Sequence, residues 1–217
     1  MIRNRIKCAL KGVIGWVVPK RILLWQGGEN TNKVALTFDD GPDSEGTPAV
    51  LEILSRYQIQ ATFFLVGMHV KQNPEWVRKI VEARHEIGNH SQSHRVLTKL
   101  PYDEWRREIK EGEQILTHLS GRPISLFRPP KGQFSLSMFY YLARRKKTVV
   151  LWSIDPKDFA IENEDALWKT LVSAPIRGGD IVLLHDRCLA TQTVLPRFIE
   201  WVVSKGLQFS TVGALLE

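Results

Sequence analysis

Val34-Ala35-Leu36-Thr37-Phe38-Asp39-Asp40-Gly41-Pro42 is the stretch on which the reading of this chain turns. Apolar, β-prone residues run into two adjacent carboxylates and then a Gly-Pro break, the pattern of a buried strand that stops abruptly with both acids at its C-terminal tip. Side chains alternate along a strand, but where it breaks into a turn two neighbours can face one pocket. One carboxylate can then hold a metal while the other acts as a base, the division of labour that metal-assisted hydrolysis needs. Asp, Gly and Pro are also ordinary turn residues, so this stretch alone fits a plain turn equally well.

Outward from it, strand-like and helix-like segments alternate to the C-terminus. Helical spacing is expected over Thr47–Tyr57, Pro74–Ala83, Pro101–Ser120 (closed by Gly121), Ser135–Arg145, Asn163–Ser173 and around Val194–Ser204. Strands are expected over Ala61–Val66, around Glu86–Gly88, and over Ser125–Phe127, Thr148–Ile154, Asp180–Leu184 and Gln208–Val212. Such alternation predicts an α/β fold with a parallel sheet, open or closed into a barrel, whose functional groups lie at the C-terminal ends of the strands.

Four further constellations follow predicted strands. His90-Ser91-Gln92-Ser93-His94 places two imidazoles four residues apart, a reach that lets both meet one ion, although surface polar residues show the same spacing. With one of the paired acids they make a two-histidine, one-carboxylate set that leaves coordination positions open. Arg128-Pro129-Pro130-Lys131-Gly132 is either a Pro-rich connection or a rigid loop presenting the N–H groups of Lys131 and Gly132 as an oxyanion hole, with Arg128 able to clamp a carboxylate. Asp155-Pro156-Lys157-Asp158-Phe159 follows one apolar strand; Leu183-Leu184-His185-Asp186 ends another in a histidine placed for general acid work, which Asp158 would keep protonated. His69, His85 and His118 match no motif and are read as structural or solvent-facing.

The five motifs in this order closely resemble the polysaccharide deacetylases of carbohydrate esterase family 4, the NodB-homology domain. The resemblance runs from about Lys33 to the C-terminus, about 85% of the chain. It implies a distorted (β/α) barrel of about seven parallel strands and metal-dependent removal of N-acetyl groups from GlcNAc-type sugars in chitin oligomers, peptidoglycan or related glycans. Carried over by residue, Asp40, His90 and His94 would bind a divalent ion, most often zinc, with cobalt or another ion as substitutes. Asp39 would be the base, oriented by Arg128; His185 the acid, tuned by Asp158; and the Lys131 N–H an oxyanion donor, with Phe159 and Leu183 beside the substrate. The family usually has Tyr at position 131 and Trp at 159, so Lys131 and Phe159 bear on substrate preference, and Lys131 is able to meet an anionic group. Two rivals stand beside this reading: a deacylase or deformylase of a lipid-linked amino sugar, and a catalytically idle carbohydrate-binding relative.

The 217 residues, 43% apolar, suffice for one full core. Six of the seven excess positive charges fall in residues 1–33, so the basic balance belongs to an N-terminal arm, taken as residues 1–32 ahead of a catalytic domain of 33–217, and not to a nucleic-acid groove. In that arm Ile2, Ile6, Leu10, Val13 and Val17 interleave with Arg3, Lys7 and Lys11, as in a basic amphipathic helix on an anionic membrane; a signal segment or a helix packed on the domain are the alternatives. The longest apolar run, Gly12 to Val18, is far below the roughly 18 to 20 residues of a spanning helix. Peripheral membrane contact through residues 1–25 favours a membrane-associated or cell-envelope location, with the cytoplasm as the alternative. Cys8 and Cys188 indicate neither a disulfide framework nor a thiolate metal site, and oligomeric state is left open.

Overall fold

β2 (Lys33–Asp39) is buried from Val34 onward because both of its faces are covered, and in the computed structural model it is hydrogen-bonded to parallel strands on both of its edges. The structure describes residues 19–28, 30–173 and 175–216. The amphipathic pattern of Ile2 to Val17 lies outside the described residues. Along the chain the elements are β1 (Leu23–Leu24), β2, α1 (Gly46–Arg56), β3 (Thr62–Leu65), α2 (Gly67–Gln72), α3 (Pro74–Glu82), β4 (Glu86–Asn89) and α4 (Tyr102–Ser120). They continue with β5 (Leu126–Phe127), α5 (Leu136–Arg144), β6 (Thr148–Val150), α6 (Glu164–Ser173), β7 (Ile181–His185), α7 (Leu189–Ser204) and β8 (Gln208–Ser210).

All strand pairs are parallel, in the order β1-β6-β5-β4-β3-β2-β7, with β8 set against the first half of β2. Past β6 the chain leaves its neighbours and crosses to β7, where Ile154 pairs with Val182, so the seven strands curl into a distorted (β/α) barrel. β1 falls within the stretch read as an arm, and pairs Leu23 and Leu24 with Val149 and Val150.

Alternation along each strand separates two cores. Leu36 and Phe38 of β2, Phe63 and Leu65 of β3 and Val182 and Leu184 of β7 face outward onto Val50 and Leu54 of α1, Val77 and Ile80 of α3, and Phe198 and Val202 of α7. Ala35, Phe64, Ile181, Leu24, Leu126 and Val150 meet in the barrel interior. Inward positions on β2 are therefore Ala35, Thr37 and Asp39, and on β7 Ile181, Leu183 and His185. Above this apolar floor, the paired carboxylates and histidines gather at the C-terminal end. There, both helix faces and the floor exclude water, which raises the cost of leaving any polar group unpartnered.

Candidate active site

Asp39 points into the barrel by strand alternation; Asp40 would point out, but the strand ends there and its backbone turns to φ 70°, which brings it into the same pocket. Nδ1 of His69 donates to the Asp40 carbonyl at 2.6 Å and helps to hold that turn. Arg128, fully buried after β5, donates from Nη1 to Asp39 Oδ1 at 2.7 Å and to Thr37 Oγ1 at 2.8 Å, and from Nη2 to the Leu151 carbonyl at 3.0 Å. Its guanidinium carbon sits 4.0 Å from the centre of the Phe64 ring. Burial lowers the Arg128 pKa, Asp39 opposes this, and the group stays cationic.

The histidine loop is not helical. Ser91 (φ 68°) and His94 (φ 55°) are both left-handed, and the loop is fastened to α4: Glu108 accepts from Ser93 N–H and Oγ–H at 2.8 and 2.6 Å, and Asn89 donates to the Ile109 carbonyl at 2.8 Å. Gly112 lets α4 approach this closely, since a Cβ there would lie 2.5 Å from Asn89 Oδ1. His90 Nδ1 donates to the Arg128 carbonyl at 2.7 Å, which leaves Nε2 as a lone-pair donor to the pocket.

His94 Nε2 and His90 Nε2 lie 3.2 and 3.5 Å from Asp40 Oδ1, yet this buried oxygen has no hydrogen-bond partner. Ligands on a tetrahedral ion at ordinary bond lengths stand about 3.3 Å apart. The three residues thus fit a small divalent cation, and the lone oxygen is what such an ion would satisfy. Burial alone would raise the Asp40 carboxyl, but His90 foremost, then His94 and His185, outweigh it and hold it well below the usual carboxylate range. Burial and the neighbouring His90 push His94 down, favouring its neutral, ligating form.

Across the pocket, His185 Nδ1 bonds Asp158 Oδ1 at 2.7 Å. Asp158 Oδ2 accepts from the His185 N–H at 2.7 Å and from Thr191 at 2.6 Å, so this carboxylate is filled by donors. Burial opposes charge on His185, but Asp158 and then Asp39 and Asp40 outweigh it and raise its pKa. Cys188 lies near this pair, but burial pushes its thiol up to about 12, and it is no thiolate ligand.

A cavity of about 570 Å³ unites Asp39, Asp40, His90, His94, Leu183 and His185. Lys131 and Phe159 line it, the latter 59% exposed with its edge against His185 at 5.4 Å. Of the two expected amide donors, Gly132 is already engaged with the Pro129 carbonyl at 2.9 Å, because the loop closes into a tight turn; Lys131 N–H has no protein acceptor among the described residues. His85 is buried, with Nδ1 accepting from Ala61 N–H, and His118 is exposed on α4. Trp152 and Arg187, which also line the cavity, carry no signal of their own in the sequence. Arg187 donates to Asp40 Oδ2 at 3.1 Å and is reached only through its place two residues beyond His185.

Barrel, paired carboxylates and two poised histidines define a hydrolase-type site at the C-terminal mouth of a (β/α) barrel. The chain belongs to the polysaccharide deacetylase family, whose model matches residues 26–150. It is 34% identical over 203 residues to a peptidoglycan-N-acetylglucosamine deacetylase of Bacillus cereus, covering 91% of this chain and 94% of that protein. Among solved structures, the Bc1960 peptidoglycan N-acetylglucosamine deacetylase superposes with a TM-score of 0.86 at 31% identity, over 89% of this chain and 92% of that one. BA3943 of Bacillus anthracis, described as a pseudoenzyme of carbohydrate esterase family 4, superposes with a TM-score of 0.84 at 28% identity, over 90% and 69%.

Proposed function

We propose that this chain removes N-acetyl groups from GlcNAc-type residues of a glycan, such as peptidoglycan or a chitooligosaccharide, with a divalent ion, zinc by the chemistry of the donor set, held by Asp40, His90 and His94. The observation that carries the reading is the convergence of one unpartnered carboxylate oxygen and two imidazole Nε2 atoms beside an arginine-held carboxylate and a carboxylate-bound histidine. When bound, the ion supplies Lewis acidity to the acetyl carbonyl and lowers the pKa of water. Asp39, fixed by Arg128, takes a proton from the attacking water. Lys131 N–H donates to the acetyl oxygen as negative charge gathers there. His185, kept protonated by Asp158, gives its Nε2 proton to the departing amine, which is otherwise too poor a leaving group. Acetate and a free amino sugar result.

Release of free amine from chitin oligomers and peptidoglycan fragments, abolished by chelator and restored by zinc, tests this reading. Asp39→Asn should remove turnover while metal and glycan binding persist; unchanged turnover refutes the assigned base. The Lys131 ammonium at the cavity, without an ion-pair partner among the described residues, supports a second reading, a lipid-linked acylated amino sugar as substrate, which the same assay on that substrate separates.

A further inference from the structure

Because every strand is parallel, all connections that enter strands meet at one end of the barrel, opposite the site. The described stretches that lead into β1 and into β3–β8 hold nine lysines and arginines and a single acid. That acid, Asp180, is buried and accepts from Gln26, Ser153 and the Arg177 N–H. Two of the nine, Arg145 and Lys147, pair with Glu113 on α4; the other seven, Lys20, Arg21, Arg84, Arg122, Lys146, Arg177 and Lys205, are exposed without an ion-pair partner among the described residues. The connections leaving β2–β7 at the catalytic end hold seven acids and six bases. The β1–β2 connection, which runs between the two ends, carries only Glu29.

The same end carries apolar surface. A hollow of about 660 Å³ is lined by Val172, Ile176, Trp201 and Leu207, together with Arg177 and Lys205, and Val203 in the last turn of α7 is 53% exposed. Lys205 Nζ lies 5.7 Å from the Trp201 ring. Tryptophan flanked by cations beside open apolar surface suits the headgroup level of a bilayer, where the ring and aliphatic stems enter and the charges meet lipid phosphates. A nucleic acid would satisfy the charges and leave the hollow unused. Pro19, Lys20 and Arg21 lead into β1 at this end.

We propose that the N-terminal end of the barrel is a docking face for an anionic lipid bilayer. The seven-residue β2 then holds the catalytic mouth about 20 Å above the surface, turned away from it. This face is independent of the metal and of turnover.

Flotation of the full chain with phosphatidylcholine vesicles, with or without phosphatidylglycerol, tests it. Binding should require the anionic lipid and weaken with salt. Replacing Arg84, Arg122, Arg177 and Lys205 by Gln should weaken it at least about a hundredfold, since each cation near such a surface is worth about fivefold, with the arm unchanged. Unaltered circular dichroism and thermal unfolding establish that the variant is folded. Undiminished binding by the folded variant, equal binding to neutral vesicles, or a preference for competing duplex DNA over the anionic vesicles overturns the proposal.

Discussion

Removing the Arg128 guanidinium tests how the site is built without reference to turnover. Arg128 is fully enclosed, and its charge faces one carboxylate, Asp39, itself 3% exposed. Arg128→Met roughly preserves the stem and deletes four donated hydrogen bonds and the contact with Phe64. The main loss is that Asp39 is left as an uncompensated buried charge, and breaking such a pair from one side costs about 3–5 kcal/mol. In a chain of this size that corresponds to a fall in Tm of roughly 6–20 °C. Asp39→Asn leaves the guanidinium without its counter-charge but keeps an acceptor for Nη1, so its cost should lie at the lower end of that range, about 3 kcal/mol. In Arg128→Met/Asp39→Asn the orphaned charge is gone, so the double variant should be more stable than the sum of the single losses by at least about 1.5 kcal/mol. Urea unfolding of the four proteins in chelator completes the cycle. Additive losses, or a loss below about 1 kcal/mol for Arg128→Met, would refute the view that Arg128 is there to hold a buried carboxylate.

Asp158→Asn sets an amide NH2 against N–H or O–H donors in either orientation, since Oδ1 faces His185 Nδ1 and Phe159 N–H while Oδ2 faces His185 N–H and Thr191; the basic limb of the kcat profile should move about 1–2 pH units lower, and an unmoved limb excludes Asp158 as the tuner. His85, lowered by burial to about 4, binds its proton more weakly in the folded chain than in the unfolded one, so its contribution is complete above pH 6.5 and lost as pH falls toward 4. His85→Gln should remove up to about 3 kcal/mol of the acid-limb slope over that window in urea titrations, and an unchanged slope would place the acid sensitivity elsewhere. Gly132→Ala directs a Cβ to 2.9 Å from the Trp152 ring at a φ of +66°, and should cost about 1–3 kcal/mol in the same assay, with activity falling as Trp152 is displaced; wild-type stability would count against a tight Trp152–Gly132 contact.

Period and punctuation made most of the fold legible. Pro74 opens α3 and Gly121 closes α4 at φ 65°, where the sequence places them, because these residues act through their own backbone limits. The Thr148–Ile154 run is mostly apolar, yet β6 stops at Val150: the chain must leave β5 and reach β7, a requirement of barrel closure that no local pattern records. β1 is two residues long and α2 six, too short for periodicity to reveal. At the site, the ten residues picked from motifs meet at or beside one pocket because each follows a strand, so order along the chain becomes position around a mouth. Arg187, Trp152, Glu108 and Thr191 were not legible, since the work of Arg187 and Thr191 depends on partners 147 and 33 positions away, Trp152 belongs to a wall formed only in three dimensions, and Glu108 lies fifteen residues beyond its partner Ser93.

Backbone conformation shows what the fold invests in that convergence. Eight described non-glycine residues have positive φ, and five of them, Asp40, Ser91, His94, Lys131 and Lys157, belong to the connections that leave strands at the catalytic mouth. Left-handed geometry is mild for Asp and His but costs about 1 kcal/mol or more for a lysine, so it persists only where neighbours fix it. The neighbours here are specific: His69 on the Asp40 carbonyl, Asn89 and Glu108 on the histidine loop, Asp155 on the Lys157 N–H. At Asp40 the turn defeats strand alternation and brings a second carboxylate inward; at Lys131 it leaves an N–H without an acceptor among the described residues at the cavity wall. Strain therefore falls where a relaxed strand-to-helix connection would have pointed the same side chains and amides elsewhere. A scaffold that kept the five motifs but lost these anchors would retain the residues of the site and lose their arrangement.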